Sequence, residues 1–262
     1  MPRTDGNGAL AATALGLLQG PTELLPVSSS AHTTLVPWLI GRDAPDYPPG
    51  RRKAFEVALH VGAGGALAID MYGELRERAA DATAAQWIAL VLAVIPAMAA
   101  GALLKGPIER RLGGPGSIAA GLIGGALVMV AADAGPDRPA RHFAELGPAD
   151  GLAIGLAQAC ALMPGVSRNG ATLAAARARG FSRDAAQAIS WTVGLPVMLG
   201  AGVLKAADLQ ADSETLLGGA AAFVSTLVFA RILRRHGRRL LPWALYRCAL
   251  AALVLRRLGS GR

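Results

Sequence analysis

"LLPVSSSAH", residues 24–32, interrupts an apolar stretch. Three serines and a histidine follow Pro26, and Glu23 stands just before them. On either side the chain reads as membrane helix, ALAATALGLLQ before it and TTLVPWLI after it. An ionisable residue within a membrane segment is costly, and by default it marks a functional site. The fold therefore turns on whether this stretch is a surface loop or a polar break at membrane depth.

Composition favours the second reading. Of 262 residues, 53% are hydrophobic and 17% are charged, and the mean hydropathy is +0.40. Soluble domains carry about 25% charged residues. The 33 glycines supply small residues suited to close helix packing in lipid. The short start, MPRTDGNG, does not resemble a cleaved signal peptide, so the first apolar segment is expected to be retained. Cys160 and Cys248 lie in apolar segments without metal-ligand spacing and are expected to be small core residues.

The net charge of +8 is local to one end of the chain. No acidic residue follows Glu214, whereas Arg231, Arg234, Arg235, Arg238, Arg239, Arg247, Arg256, Arg257 and Arg262 do. Beside apolar helices such a cluster reads as a positive-inside loop rather than a nucleic-acid footprint. No nucleic-acid partner is expected.

Spanning helices need about 20 mostly apolar residues. Segments 54–72, 85–104, 117–134, 185–205, 215–233 and 240–258 qualify. Segments 8–20 and 150–163 are too short or interrupted to cross alone, and each runs into a polar stretch with Pro and Gly, 21–32 and 164–172. Such pairs point to re-entrant hairpins, whose irregular backbone is tolerated only against protein or a water-filled cavity. Loops are expected at 41–53, 73–84, 105–116, 135–149 and 206–214.

The two halves align in order. PVSSSA (26–31) matches PGVSRNGA (164–171) with one gap, LHVGAGGALA (59–68) lies opposite WTVGLPVMLG (191–200), and KGPIERR (105–111) lies opposite RILRRHGRR (231–239). This order predicts an internal duplication. The expected fold is an all-α integral membrane protein. It is a single polytopic domain over 1–262, with repeat one about 8–134 and repeat two about 150–258. Three spans per half would invert the repeats and let both polar hairpins meet near the midplane.

The hairpins carry a phosphate-handling inventory. Gln19 and Glu23 are four residues apart, on one helix face. Ser28, Ser29, Ser30 and His32 follow the Pro26 break, and the second hairpin offers Ser167, Arg168, Asn169 and Thr172. Arg168 can grip phosphate oxygens bidentately. Serine hydroxyls and the Gly-Val-Ser-Arg amides suit oxyanions, and a helix starting near 168 would aim its N-terminus at them. Glu23 can hold a divalent cation or act as base. His32 can move protons or attack phosphorus. Each has a plainer reading: Ser28–Ser30 as caps, His32 as a packed polar residue, Glu23 as an ion-pair partner of Arg168, Asn169 as a turn residue. His60 reads as a packed polar residue, and Arg247 as a snorkelling side chain or a site contact.

QGPTELLPVSSSAH (19–32) resembles the first signature of the undecaprenyl-diphosphate phosphatase family, the bacitracin-resistance phosphatases, and PGVSRNGAT (164–172) resembles the second. AFEVALHVG near 54, VIPAMAAG near 94, GLPVMLGA near 194 and WALYR near 243 are similar to further family segments, in the same order. The resemblance implies a multi-pass enzyme of the bacterial inner membrane. Its site opens outward, and it cleaves undecaprenyl diphosphate to the monophosphate carrier used for peptidoglycan and other envelope polymers. It implies Mg²⁺ or Ca²⁺ as cofactor, held by Glu23 with Gln19. It casts Glu23, Ser29, His32 and Arg168 as catalytic, and Ser28, Ser167, Arg168, Asn169 and Thr172 as substrate-binding. The nucleophile stays open among Ser29, His32 and water. Three positions depart from the family pattern: Gln19 where many members have an acid, Asn169 for the usual serine, and His60 where glutamine is common, which would add a second titrating group near the site. The expected partners are the polyprenyl diphosphate, membrane lipid and a second copy in a homodimer. A polyprenyl-phosphate transporter is the rival reading, because inverted repeats with broken helices also build transporters.

Overall fold

The computed structural model describes residues 6–41, 49–134, 140–205, 212–233 and 239–260. Among these the chain is all-α. Its one β feature is an isolated bridge between Arg141 and Phe181. The helices are α1 (Gly6–Leu24), α2 (Ser29–Leu39), α3 (Pro49–Asp70), α4 (Tyr72–Ala80), α5 (Ala84–Leu112), α6 (Pro115–Asp133), α7 (Pro148–Cys160), α8 (Arg168–Ala178), α9 (Arg183–Lys205), α10 (Ser213–Leu233) and α11 (Leu241–Gly259).

Among the described residues, three helices are long and apolar enough to cross a membrane: Ala84–Leu104 within α5, α6, and α10. Gly50–Asp70 and Tyr72–Ala80 form a pair bent by 64° that makes a fourth if taken as one span. The expected segments 185–205 and 240–258 are helical as α9 and α11. The outward faces suit lipid, with Ile88, Val91 and Ile95 on α5 and Val224, Val228 and Ile232 on α10 all at least half exposed.

Several expectations need correcting. Segment 73–84 is largely the helix α4 rather than a loop. Arg78 there pairs with Glu74 at 2.8 Å one turn back and stacks on Phe143. α5 continues to Leu112 through the expected loop start at 105, and α3 begins at Pro49 rather than 54. Cys160 and Cys248 are exposed, not core. A helix apolar all round carries no periodicity to tell a lipid face from a protein face. The Arg-rich segment 231–239 falls largely outside the described residues.

The chain forms two compact units, each drawing on both halves of the sequence. The first comprises Met1–Leu24, His32–Gly73 and Leu195–Arg235. In it α1 and α3 pack on α10. The crossing is tight, since a Cβ at Gly16 would meet the Gly218 carbonyl and one at Gly20 would meet Ser225. Pro21 sits inside α1 and removes the N–H that would bond the Leu17 carbonyl. The Ser225 hydroxyl donates to that carbonyl instead, at 2.6 Å. The helix therefore runs on to Leu24 and carries Glu23 in its last turn.

The second unit comprises Leu25–Ala31, Glu74–Gly194 and His236–Arg262. In it α7 packs on α5 and α8, and α6 packs on α8 and α11. Gly151 and Gly155 let α7 approach the Ala89 and Leu92 carbonyls. Asp150, in the first turn of α7, is clasped by Arg141 at 2.6 Å and Arg179 at 2.7 Å. Burial alone would raise its carboxyl pKa. Hydrogen bonds from Arg141, Arg179 and the Gly147 N–H outweigh that and hold it at about 2. A depressed folded-state pKa stabilises above the unfolded value, and that stability drains away as pH falls from about 4 towards 2. Asp150→Asn is expected to cost about 2 kcal/mol at neutral pH. Thermal unfolding of both proteins in detergent across this range should show the gap closing on acidification.

Candidate functional site: two helix-opening turns held by a buried arginine

Both polar stretches form the same device, a helix, a short break and a second helix of 11 residues. α1 ends at Leu24 and α2 opens at Ser29; α7 ends at Cys160 and α8 opens at Arg168. The residue before each second helix is a serine with positive φ, 75° at Ser28 and 71° at Ser167. Such a conformation costs a non-glycine residue on the order of 1–3 kcal/mol and tends to occur at functional sites. Each serine caps the helix it precedes. Ser167 Oγ accepts from the Gly170 N–H at 3.1 Å, and Ser28 Oγ accepts from the Ala31 N–H at 3.4 Å. The capping reading thus holds for Ser28, and Ser167 caps α8 in the same way. Ser29 is the half-buried first residue of α2, and Ser30 is exposed.

Arg247 on α11 ties the two turns together. It is fully buried, so it does not snorkel to an interface. Its guanidinium donates to the Pro26 carbonyl of the first turn at 3.3 Å. It also donates to the Gly165 and Val166 carbonyls of the second turn, at 2.8 and 2.9 Å. Further bonds reach Gly121 and Leu122 on α6. Gly125 makes room for it, since a Cβ there would strike the guanidinium. Planar, multi-donor arginine suits this task better than lysine. The sequence offered only a Tyr-Arg pair in an apolar helix, so this role was not legible.

Arg168 occupies the first position of α8, half-buried, as the helix-start expectation required. Its guanidinium lies against Gly194 of α9, where a Cβ would overlap Nη1. Gly194→Ala is therefore expected to displace the guanidinium and cut activity about 100-fold while leaving the fold intact, since misplacements of about 1 Å have that effect. Steady-state kinetics beside a thermal melt checks this. Of the expected backbone cradle, the Val166 N–H is engaged within its own turn, donating to Met163 O at 3.1 Å. Asn169 and Thr172 are buried. Asn169 Oδ1 accepts from Ser190 of α9, and Thr172 Oγ1 meets the same Ser190 hydroxyl. These contacts fix α8 to α9.

Glu23 and His32 are buried, 6% and 3% exposed, in the first unit. Gln19 Nε2 donates to Glu23 Oε2 at 3.0 Å. His60 Nε2 approaches the same oxygen at 3.6 Å. His60 is thus a neighbour of Glu23, in keeping with a titrating group near the site where the family pattern has glutamine; contact between α1 and α3 is invisible to sequence periodicity. The described residues contain no group of three or more His, Cys, Asp or Glu placed to hold a metal. Beside Glu23, Gln19 adds an amide whose buried Oε1 accepts no hydrogen bond.

Apolar helices around two strained, buried polar turns define an integral membrane protein. Residues 12–253 match the family described as Bacitracin resistance protein BacA. The chain is 36% identical to an undecaprenyl-diphosphatase of Geobacter sulfurreducens, over 93% of this chain and 96% of that one. It is also 36% identical to one of Geobacter metallireducens, covering 94% and 97%, and to one of Alcanivorax borkumensis, covering 93% and 97%. The chain belongs to the BacA family.

Proposed function

We propose that the chain hydrolyses undecaprenyl diphosphate to undecaprenyl phosphate and inorganic phosphate, recycling the lipid carrier for peptidoglycan and other envelope polymers and conferring bacitracin resistance. The observation that carries this reading is the Arg247 clasp. It joins the Pro26 carbonyl of the turn that leads to Ser28 and Ser29 with the Gly165 and Val166 carbonyls of the turn that leads to Ser167 and Arg168. The names of the relatives agree with it.

Arg168 grips the diphosphate, with Ser167, Asn169 and Thr172 setting the frame of α8 and Ser28 that of α2. Ser29 and His32 are three apart on α2 and share a face. The phosphoryl group passes to water directly, or first to Ser29 or His32 and from there to water, which releases inorganic phosphate. The bond to the bridging anhydride oxygen breaks, and undecaprenyl phosphate leaves. His32 takes the proton of a Ser29 or water nucleophile. Rapid quench with β-labelled substrate separates the three: an acid-stable phospho-enzyme means Ser29, an acid-labile one His32, and no label means water. Glu23 and Gln19 would hold the divalent cation, Mg²⁺ or Ca²⁺; both offer oxygen, the donor such hard ions take. When bound, that cation neutralises charge on the transferring phosphoryl group.

The reciprocal packing of α1 on α10 and α7 on α5 supports an inverted duplication, since each exchanges the first helix of one half with a later helix of the other. With α3, α9 and α11 also spanning, six helices cross the inner membrane and the site faces outward. The basic segment 231–239 then lies in the cytoplasm and the C-terminus outside. A C-terminal reporter is expected to signal outside; a cytoplasmic signal overturns this orientation. To separate enzyme from transporter, protein in liposomes is given undecaprenyl diphosphate in one leaflet. The enzyme reading predicts phosphate release without lipid translocation, and translocation without release contradicts it.

A further inference from the structure

We propose that His60 is a metal ligand, joining Glu23 and Gln19 in a site that takes a first-row transition cation, Mn²⁺ or Zn²⁺, in preference to Mg²⁺ or Ca²⁺. The proposal rests on the reading that Glu23 and Gln19 hold the cation, and it replaces the hard ion of that reading with a transition cation.

Three observations carry it. His60 Nδ1 lies 2.7 Å from the Glu56 carbonyl of its own helix. A carbonyl only accepts, so Nδ1 donates to it and Nε2 is the ring nitrogen left to meet a ligand. That Nε2 faces Glu23 Oε2 at 3.6 Å. A ring nitrogen tethered to a backbone carbonyl, with the other aimed at a carboxylate oxygen, is the arrangement that orients metal-binding histidines. Gln19 completes the set. Its Nε2 donates to Glu23, and its Oε1 is buried without a hydrogen bond. The same amide can give its N–H to the bare carboxylate or its oxygen to a cation that the carboxylate holds. Gln19 is fully buried, so that oxygen has no solvent to fall back on.

The donor chemistry selects the ion. Two oxygens alone suit hard Mg²⁺ or Ca²⁺, whereas an imidazole nitrogen shifts affinity towards transition metals. With a neutral amide at position 19, the site also has one anion, Glu23, rather than two. That weakens the electrostatic hold on a hard ion and leaves more of the affinity to the nitrogen.

The test is Mn²⁺ binding to the purified full-length protein in detergent, read by electron paramagnetic resonance with Mg²⁺ as competitor, for wild type, His60→Gln and Glu23→Gln. Pulsed spectra report whether a nitrogen nucleus is coupled to the bound Mn²⁺. Wild type is expected to bind Mn²⁺ at least about tenfold more tightly than Mg²⁺, with nitrogen coupling. His60→Gln should stay folded, lose the coupling and bind Mn²⁺ about 10–100-fold more weakly. Glu23→Gln should lose both ions. Binding that depends on Glu23 but shows no nitrogen coupling, or coupling that survives in His60→Gln, overturns the role of His60 and leaves the Glu23–Gln19 site standing. Folded wild type that binds neither ion overturns both.

Discussion

Arg168→Ala and Glu23→Ala are each expected to lower kcat/KM for undecaprenyl diphosphate by about 10³-fold or more, the scale set by losing one preorganised partner of a transferring phosphoryl group. Arg168 opens α8 with its guanidinium half-buried against Gly194, so truncation removes the one cation of the second turn. Arg168→Lys should recover little, because a point charge cannot reproduce bidentate contact at a fixed angle. Glu23 sits 6% exposed between Gln19 and His60, and Glu23→Gln should be nearly as damaging as alanine if its charge is what matters. Both variants should keep the wild-type melting profile, since neither residue packs the apolar clusters. Phosphate release assayed with that melt decides it. Full activity in a folded Arg168→Ala protein would remove the second turn from the site.

The second large effect is expected at Arg247, which contacts no reacting group. Arg247→Met leaves the Pro26, Gly165 and Val166 carbonyls buried without a donor, in turns where no helix neighbour can replace it. Each orphaned carbonyl costs roughly 1–3 kcal/mol, partly offset because a guanidinium no longer has to be desolvated. A net loss of about 3 kcal/mol follows, with kcat falling as the two turns lose their common anchor. Arg247→Lys reaches fewer of the carbonyls and should recover only part of either loss. A merely structural arginine would lower stability without changing kcat in the protein that remains folded. Kinetics on the folded fraction therefore separates a positioning role from packing.

Much of this arrangement was legible in the chain itself. Pro26 followed by hydroxyl residues, and PGVSRN after an apolar run, marked both breaks, and α8 begins at the expected residue. The four-residue spacing of Gln19 and Glu23 placed them on one face, where they bond. What stayed hidden depends on long-range contact. Arg247 looks like an interfacial residue until the carbonyls of Pro26 and Gly165, 221 and 82 residues away, are seen to converge on it. The departure at His60 pointed to a titrating group near the site, but its contact with Glu23 is made by the packing of α3 near α1. α4 was missed for the opposite reason: its polar sequence lacks an apolar stripe, and it is held by Arg78 with Glu74 and Phe143. Cys160 and Cys248 were misplaced because lipid and protein interior select the same residues.

The most direct test is to give purified protein in detergent β-labelled undecaprenyl diphosphate and to follow both products with divalent cation present and after its removal by chelation. One inorganic phosphate is expected per undecaprenyl phosphate formed, with release stopping on chelation and returning when the cation is restored. Binding of the lipid by well-folded protein with no phosphate released would contradict hydrolysis and leave a carrier of polyprenyl phosphates in its place.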